Sequence, residues 1–379
     1  MKQAVRSGIV LLISSLLLTG CWNLRTIQDI YYATAIGFDY KDGKYIVHAQ
    51  MIDFMTVAKS ETGKPTEPIA IWVGTGRGDT PIDAYNDLYR SSQLRIFYGQ
   101  INAVVVSENL MKERIYEISE LPRRYFEMRY TPWVFGTKLP IDKIFSVTPL
   151  FNLSPLASIL HQPQESYKQL SMIAPITMRE FFSSYPEPAR TTLFPSLTIE
   201  NNNWKSDMKP SEKLEIDGIF AFQHERYLGW FDIKQLSGLR WVERQTVRSP
   251  VLLQNGETNI ASVSLEKPKV RITPQWTAGS PRFRVHVKLR GIISEMMEQT
   301  PERELEKLAE DLIKHELTRT YKLGLEKDAD LLQLEDALYR KKNRLWKRWK
   351  QEGDGKLHDD SLAEVDVKVN IVHKGKLKN

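Results

Sequence analysis

At 379 residues, with 41% apolar and 26% charged residues, the chain has the composition of a folded globular protein. At roughly 150 residues per domain it holds two or three of them. Its net charge of +6 permits contact with anionic headgroups but is no nucleic-acid signature, and its single cysteine excludes an intrachain disulfide framework.

Lys2 and Arg6 precede an apolar run over residues 9–18, interrupted by Ser14 and Ser15. This is the cationic and apolar pattern of a secretory signal, too short to span a bilayer, which needs about 20 apolar residues. Leu18-Thr19-Gly20-Cys21 then places small residues before the only cysteine, the arrangement that a lipoprotein signal peptidase reads. Residues 1–20 are expected to be removed, leaving Cys21 with a covalent diacylglyceryl group and an N-acyl chain. Two acyl chains hold a soluble body on a membrane where one barely does.

Residues 30–38 and 45–53 read as a hairpin across Asp42-Gly43, a strong turn signal. Residues 69–73 form a third strand, and the Gly74, Gly76 and Gly78 cluster a tight strand-to-helix turn. Its spacing fits neither a Walker A loop nor a dinucleotide fingerprint. A helix starts at Pro81, capped by Thr80 with Asp83 completing a capping box, and carries Ile82, Tyr85, Leu88 and Tyr89 on one face. A strand at 103–106, a helix from Ser107 through Ser119 and a strand at 133–137 complete an α/β-type pattern.

Eight of the 19 prolines fall between residues 139 and 197. Proline removes backbone donors, so residues 139–200 read as an irregular domain end and connector, with short helices at 154–160 and 177–183.

Residues 216–222 and 226–231 form a second hairpin, followed by strands at 259–265, 269–272 and 283–289. The last alternates cleanly, with Phe283, Val285, Val287 and Leu289 on one face. A long helix opens at Thr300-Pro301 and ends at Gly324 as a C′ glycine. A second helix runs from Asp328 to Lys350, and an alternating strand closes the chain at 364–372. The fold class is α+β and multi-domain: an N-terminal α/β-type sheet-and-helix domain over 21–200, then an α+β domain of antiparallel strands and two long helices over 201–379. A further division is expected near 255.

His315-Glu316 resembles half of a zinc-peptidase motif, but Arg319 occupies the second ligand position, so a solvated helix face is expected. No catalytic residue, metal ligand or cofactor-binding residue is assigned. A basic cluster at residues 340–350 contains Arg344, Lys347 and Arg348 with Trp346 and Trp349. Outside a cell it suits anionic lipid headgroups or an acidic partner. The simpler alternative is a solvated basic face with Leu345 and Trp349 packed on the sheet.

Gly20-Cys21-Trp22-Asn23, the strand end Ala35-Ile36-Gly37-Phe38-Asp39, and the segment from Gly78 to Asn109 with Tyr98-Gly99 resemble the Ger(x)C family, the C-subunit lipoproteins of bacterial spore germinant receptors. So do Asp217-Gly218-Ile219-Phe220, Leu228-Gly229, Ala329-Asp330-Leu331 and the closing valine strand. Thr26 stands where the family usually has Glu, and Gln100 near a common His. The resemblance implies a non-enzymatic subunit on the outer face of the spore inner membrane, working with a polytopic A subunit and a transporter-like B subunit. Nutrient binding is attributed mainly to the membrane partner. Two other classes fit an exported lipoprotein: a solute-binding component of a transporter and a hydrolase.

Overall fold

The computed structural model describes residues 30–53, 69–116, 129–277 and 279–372. The signal segment, Cys21 and Thr26 lie outside them. β1 (Ile30–Lys41) and β2 (Lys44–Ile52) form the expected hairpin, turned at Asp42 and Gly43 with φ of 53° and 75°, the left-handed pair of a type I′ turn. β3 (Ile71–Gly78) pairs with β2 from Gly78 opposite Tyr45 to Ile71 opposite Ile52. The three glycines therefore lie inside a strand, not in a turn. They are needed because α1 (Pro81–Tyr89) folds back onto β3 so closely that a Cβ on Gly76 would overlap the Ala84 carbonyl and one on Gly78 the Ala84 amide. Thr80 caps α1 by accepting from the Asp83 N–H at 3.1 Å, while the Asp83 carboxylate accepts from the Thr80 hydroxyl at 2.9 Å. The buried face of α1 is narrower than expected: Ala84, Tyr85 and Leu88 are buried, but Ile82 is exposed.

β4 (Arg95–Phe97), β5 (Ala103–Ser107), α2 (Glu108–Glu113), β6 (Trp133–Thr137) and α3 (Ile141–Ser146) follow. α2 is capped by Ser107 as expected but stops at Glu113; residues 117–119 of the expected helix lie outside the described residues. Next come α4 (Pro163–Gln169), β7 (Ile176–Thr177), α5 (Met178–Ser184), β8 (Thr192–Glu200), the small pair β9 (Lys205–Ser206) and β10 (Lys209–Pro210), β11 (Lys213–Gln223) and β12 (Arg226–Asp232). The strand order in the large sheet is β12-β11-β8-β6-β5-β1-β2-β3, with β4 beside β1 and β7 beside β6. β1, β5, β6 and β8 run parallel.

β5 is buried on both faces, as a central parallel strand must be. Val104 and Val106 pack under α1, α2 and α5, whereas Ala103 and Val105 pack with Ile141, Ile144 and Phe145 on the opposite side. The proline-rich stretch is thus no connector. It supplies α3, α4 and α5, and β8 sits within the sheet despite Pro195. That proline is tolerated because β6 pairs with β8 only at Ser196 and Leu197, so Pro195 stands beside the short parallel ladder.

β11 and β12 form the expected hairpin, turned at His224 and Glu225, and extend this sheet well past residue 200. α6 (Leu239–Val242) leads to a separate sheet of β13 (Ser249–Asn255), β14 (Thr258–Thr277), β15 (Ser280–Met296) and β16 (Leu362–Val372). The two sheets divide between residues 233 and 248. β14 is one strand where two were expected, bulged between Glu266 and Lys269 with Lys267 at φ 49°. α7 (Glu302–Leu325) covers one face, burying Leu305, Ala309, Ile313, Leu317 and Tyr321. Gly324 lies within α7 rather than after it, and glycine is needed there because the Ala329 carbonyl packs where a Cβ would stand. The expected second helix is two, α8 (Leu334–Lys341) and α9 (Asn343–Glu352), broken at Lys342 with φ −142°.

β16 pairs parallel to β15, so this sheet is not wholly antiparallel; α7 to α9 form the crossover that parallel pairing requires. As an edge strand, β16 offers outward N–H groups. Glu310 accepts from Val369 N–H at 3.1 Å and Glu306 from Ile371 N–H at 3.0 Å, closing that edge.

Gly76→Ala is expected to destabilise the fold by about 1–3 kcal/mol through overpacking against α1. Gly43→Ala, which meets nothing within 4 Å and suffers only its positive φ, should cost about 1 kcal/mol. Urea titration of the two variants checks this; equal losses would contradict the close packing of α1 on β3.

Candidate functional site

The two sheets meet at a seam built by β11, β12, α6 and the chain that leaves α7. In β11 the pleat sends Phe220 and Phe222 into the helix-covered core of the large sheet, and Ile219 and Ala221 to the other face. There Ile219 and Ala221 pack with Phe231, Leu236, Leu239, Ala329 and Leu331. The chain can reach them because it turns sharply after α7: Ala329 N–H donates to the Gly324 carbonyl at 2.8 Å.

A buried carboxylate closes one side of this apolar seam. Glu335 is 3% exposed. It accepts from Gln223 Nε2, from Trp346 Nε1 and from Lys350 Nζ, each at 2.9 Å. An unpaired carboxylate at such a depth would cost several kcal/mol, so three donors from two bodies hold it there. Beneath it, Asp330 Oδ2 accepts from the Glu335 N–H at 2.6 Å, while Asp330 Oδ1 has no partner among the described residues. Burial pushes the Asp330 carboxyl up to about 7.

Gln333 adds a second polar link, donating to the Thr191 carbonyl at 2.7 Å and accepting from the Thr191 N–H at 3.2 Å. Glu316 adds a third. It was expected on a solvated helix face, yet it pairs with Arg240 at 2.9 Å and accepts from Trp241 Nε1 at 2.5 Å. Its partners come from α6, some 75 positions away, and only the fold reveals them. His315 beside it is exposed. Ser171 fastens the connection between the sheets, its hydroxyl accepting from Val247 and Arg248 N–H at 3.1 Å.

The five residues predicted for headgroup or partner contact separate into two sets. Trp349 is 2% exposed and belongs to the core of the second sheet, and Trp346 turns inward to Glu335. They are not available to a membrane surface. Arg344, Lys347 and Arg348 are exposed on α9, with Arg348 paired to Glu352 at 2.7 Å.

Beside the seam lies a cleft of about 800 Å³, lined by Ile173, Thr191, Arg271, Leu331 and Gln333 among others. Among the described residues, no group of three or more His, Cys, Asp or Glu side chains is placed to hold a metal ion. Gly74, Gly76 and Gly78 are filled by α1 and form no phosphate cradle. The seam's chemistry is that of a joint: apolar burial framed by paired charges.

Residues 23–199 match the family described as "Spore germination protein N-terminal domain", and residues 217–375 that described as "Spore germination B3/ GerAC like, C-terminal". The chain is 21% identical to spore germination protein KC of Bacillus subtilis (strain 168), over 98% of this chain and 96% of that relative. It is 20% identical to spore germination protein B3 of the same organism, over 78% and 76% respectively. The crystal structure of the GerBC protein superposes with a TM-score of 0.52 at 15% identity, over 89% of this chain and 96% of that one. That likeness speaks to the fold.

Asp330 tests the buried seam through pH. Its folded value near 7 lies above the ordinary 3.8, so its contribution is fully present below about pH 4 and is lost as pH rises towards 7. Asp330→Asn keeps the shape without the titration. Between pH 4 and pH 7 the unfolding free energy should therefore shift in the variant's favour, by up to about 4 kcal/mol. A difference that does not change with pH would contradict the burial.

Proposed function

From the premise that the chain belongs to the Ger(x)C family of germinant-receptor C subunits, we propose that it is a non-enzymatic, lipid-anchored subunit of a spore nutrient receptor. Family membership gives it a role in spore germination. The proposed place of action is the outer face of the spore inner membrane, beside a polytopic A subunit and a transporter-like B subunit. The observation that carries this reading is the order of the chain: a signal pattern, then the lone cysteine at 21, then a family match that starts at residue 23 and resumes over 217–375. No helix of the described residues is long and apolar enough to cross a membrane, and the proposed attachment is the diacylglyceryl and N-acyl groups on Cys21.

A tether of this kind confines the protein to two dimensions and raises its effective concentration near membrane partners, so weak contacts suffice. The seam suits the role. A displacement imposed on either sheet reaches the other through β11, which packs into the core of the large sheet and against the Ala329–Leu331 segment that leaves α7. The folded bodies thus help relay or stabilise the nutrient-sensing state of the membrane partners. The exposed cations Arg344, Lys347 and Arg348 supply a face for anionic headgroups, each worth about 1 kcal/mol near a charged membrane surface.

Cys21→Ala is expected to move the protein out of the spore membrane fraction and to abolish or sharply slow nutrient-triggered germination. Retention in the membrane with a normal response would contradict the anchor. Reversing Arg344, Lys347 and Arg348 to Glu in that unlipidated variant should weaken its sedimentation with phosphatidylglycerol vesicles. Unchanged sedimentation would remove the headgroup role from α9.

A further inference from the structure

Two of the exposed apolar side chains share one short turn beside the large sheet. The turn over residues 150–153 carries Phe151 at 86% exposure and Leu153 at 48%. Phe151 and Asn152 both hold left-handed backbone, at φ 58° and 55°. A bulky aromatic rarely accepts that conformation, and here it stands out in solvent with its neighbour Leu153.

The turn's position follows from Gln50. Both stems of the loop are tied to that one side chain: its Nε2 donates to the Phe145 carbonyl at 2.7 Å, and His161 Nε2 lies 2.8 Å from its Oε1. Gln50 stands opposite Ala35 of β1, five residues from Ile30, or about 17 Å along the strand. α3 follows the end of β6 that lies away from Ile30, holds Ile141 and the Phe145 ring against Gly37, and gives its Phe145 carbonyl to Gln50, which stands opposite Ala35, so the chain leaves it heading back towards the Ile30 end of the sheet. Trp72, 68% exposed, and Tyr130, 45% exposed, belong to this end as well. Trp72 pairs with Met51, which pairs with Ala33, and Tyr130 precedes the start of β6.

Ile30 is also where the leash to the acylated cysteine joins. Cys21 to Ile30 is nine residue steps, which reach at most about 30 Å. The bilayer that holds Cys21 therefore lies within reach of this end. A second exposed pair, Trp204 and Met208, sits on the β9–β10 hairpin beyond the last residue of β8. Because β8 runs parallel to β6, β5 and β1, that hairpin is at the opposite end.

We propose that the 150–153 turn is a membrane-contact element: Phe151 and Leu153 enter the headgroup and upper acyl region of the bilayer that holds Cys21, with Trp72 and Tyr130 at the interface. Aromatic side chains with one apolar and one polar end favour that layer. The contact sets which way the tethered body faces. It rests on the lipid-anchor reading of Cys21.

The acyl group consumes the only native thiol, so Asn152→Cys introduces a unique one between Phe151 and Leu153. Full-length lipidated protein bearing the environment-sensitive dye NBD at this position is reconstituted in vesicles of equal parts phosphatidylethanolamine and phosphatidylglycerol. Asn202→Cys, exposed at the far end, serves as the control. Flotation of both proteins with the vesicles reports the anchor. The expected result is a several-fold brighter, blue-shifted emission at 152, quenched by nitroxide-labelled lipid, and no change at 202. Phe151→Ser with Leu153→Ser, both surface changes, should remove the response at 152 and leave flotation intact. If both proteins float and 152 behaves like 202, the contact is overturned and the anchor stands. If neither floats, the anchor fails and the contact with it.

Discussion

One strand has to satisfy two cores. β11 sends Phe220 and Phe222 into the helix-covered side of the large sheet, and Ile219 and Ala221 against the segment that follows α7. Burying a large apolar side chain contributes about 1.5–3 kcal/mol, so a seam holding Ile219, Phe231, Leu236, Leu239 and Leu331 weighs heavily against an overall stability of about 5–15 kcal/mol. Leaving either side unfolded would expose that surface and break the Gln223–Glu335 hydrogen bond. The second family match begins at residue 217, inside β11, so the strand that joins the sheets opens the C-terminal family region.

Features set by neighbouring residues were legible in the sequence. Asp42-Gly43 turned where turn chemistry requires, Thr80 and Ser107 capped their helices, and Phe283, Val285, Val287 and Leu289 are buried as their alternation demands. Thr177 also caps α5, within one residue of the short helix expected there. Features set by distant residues were not. Gly74, Gly76 and Gly78 read as a turn because nothing local shows a helix lying on them. β8 was hidden by its proline, whose cost depends on how little of β6 pairs beside it. The parallel partnership of β15 and β16 did leave a signal, since strand, helices and strand in succession is the pattern of a crossover.

The basic cluster shows how composition misleads. Seven cations between residues 340 and 350 suggest a charged surface with tryptophans at its rim. Each indole N–H needs an acceptor when buried, and Trp346 finds it in Glu335, while Trp349 fills the second core. What remains outside is a narrower face of Arg344, Lys347 and Arg348. Similarly, Glu316 looked solvated until α6 brought Arg240 and Trp241 to it. Glu335, Gln333 and Glu316 thus spend their polar groups on partners at the seam.

The central claim is that the two sheets behave as a single unit because β11 of the large sheet packs against the segment that leaves α7 of the second. Differential scanning calorimetry of the chain from Trp22 onward tests it most directly. The account predicts one unfolding transition whose calorimetric and van't Hoff enthalpies agree. Two separable transitions, one for each sheet, would contradict it.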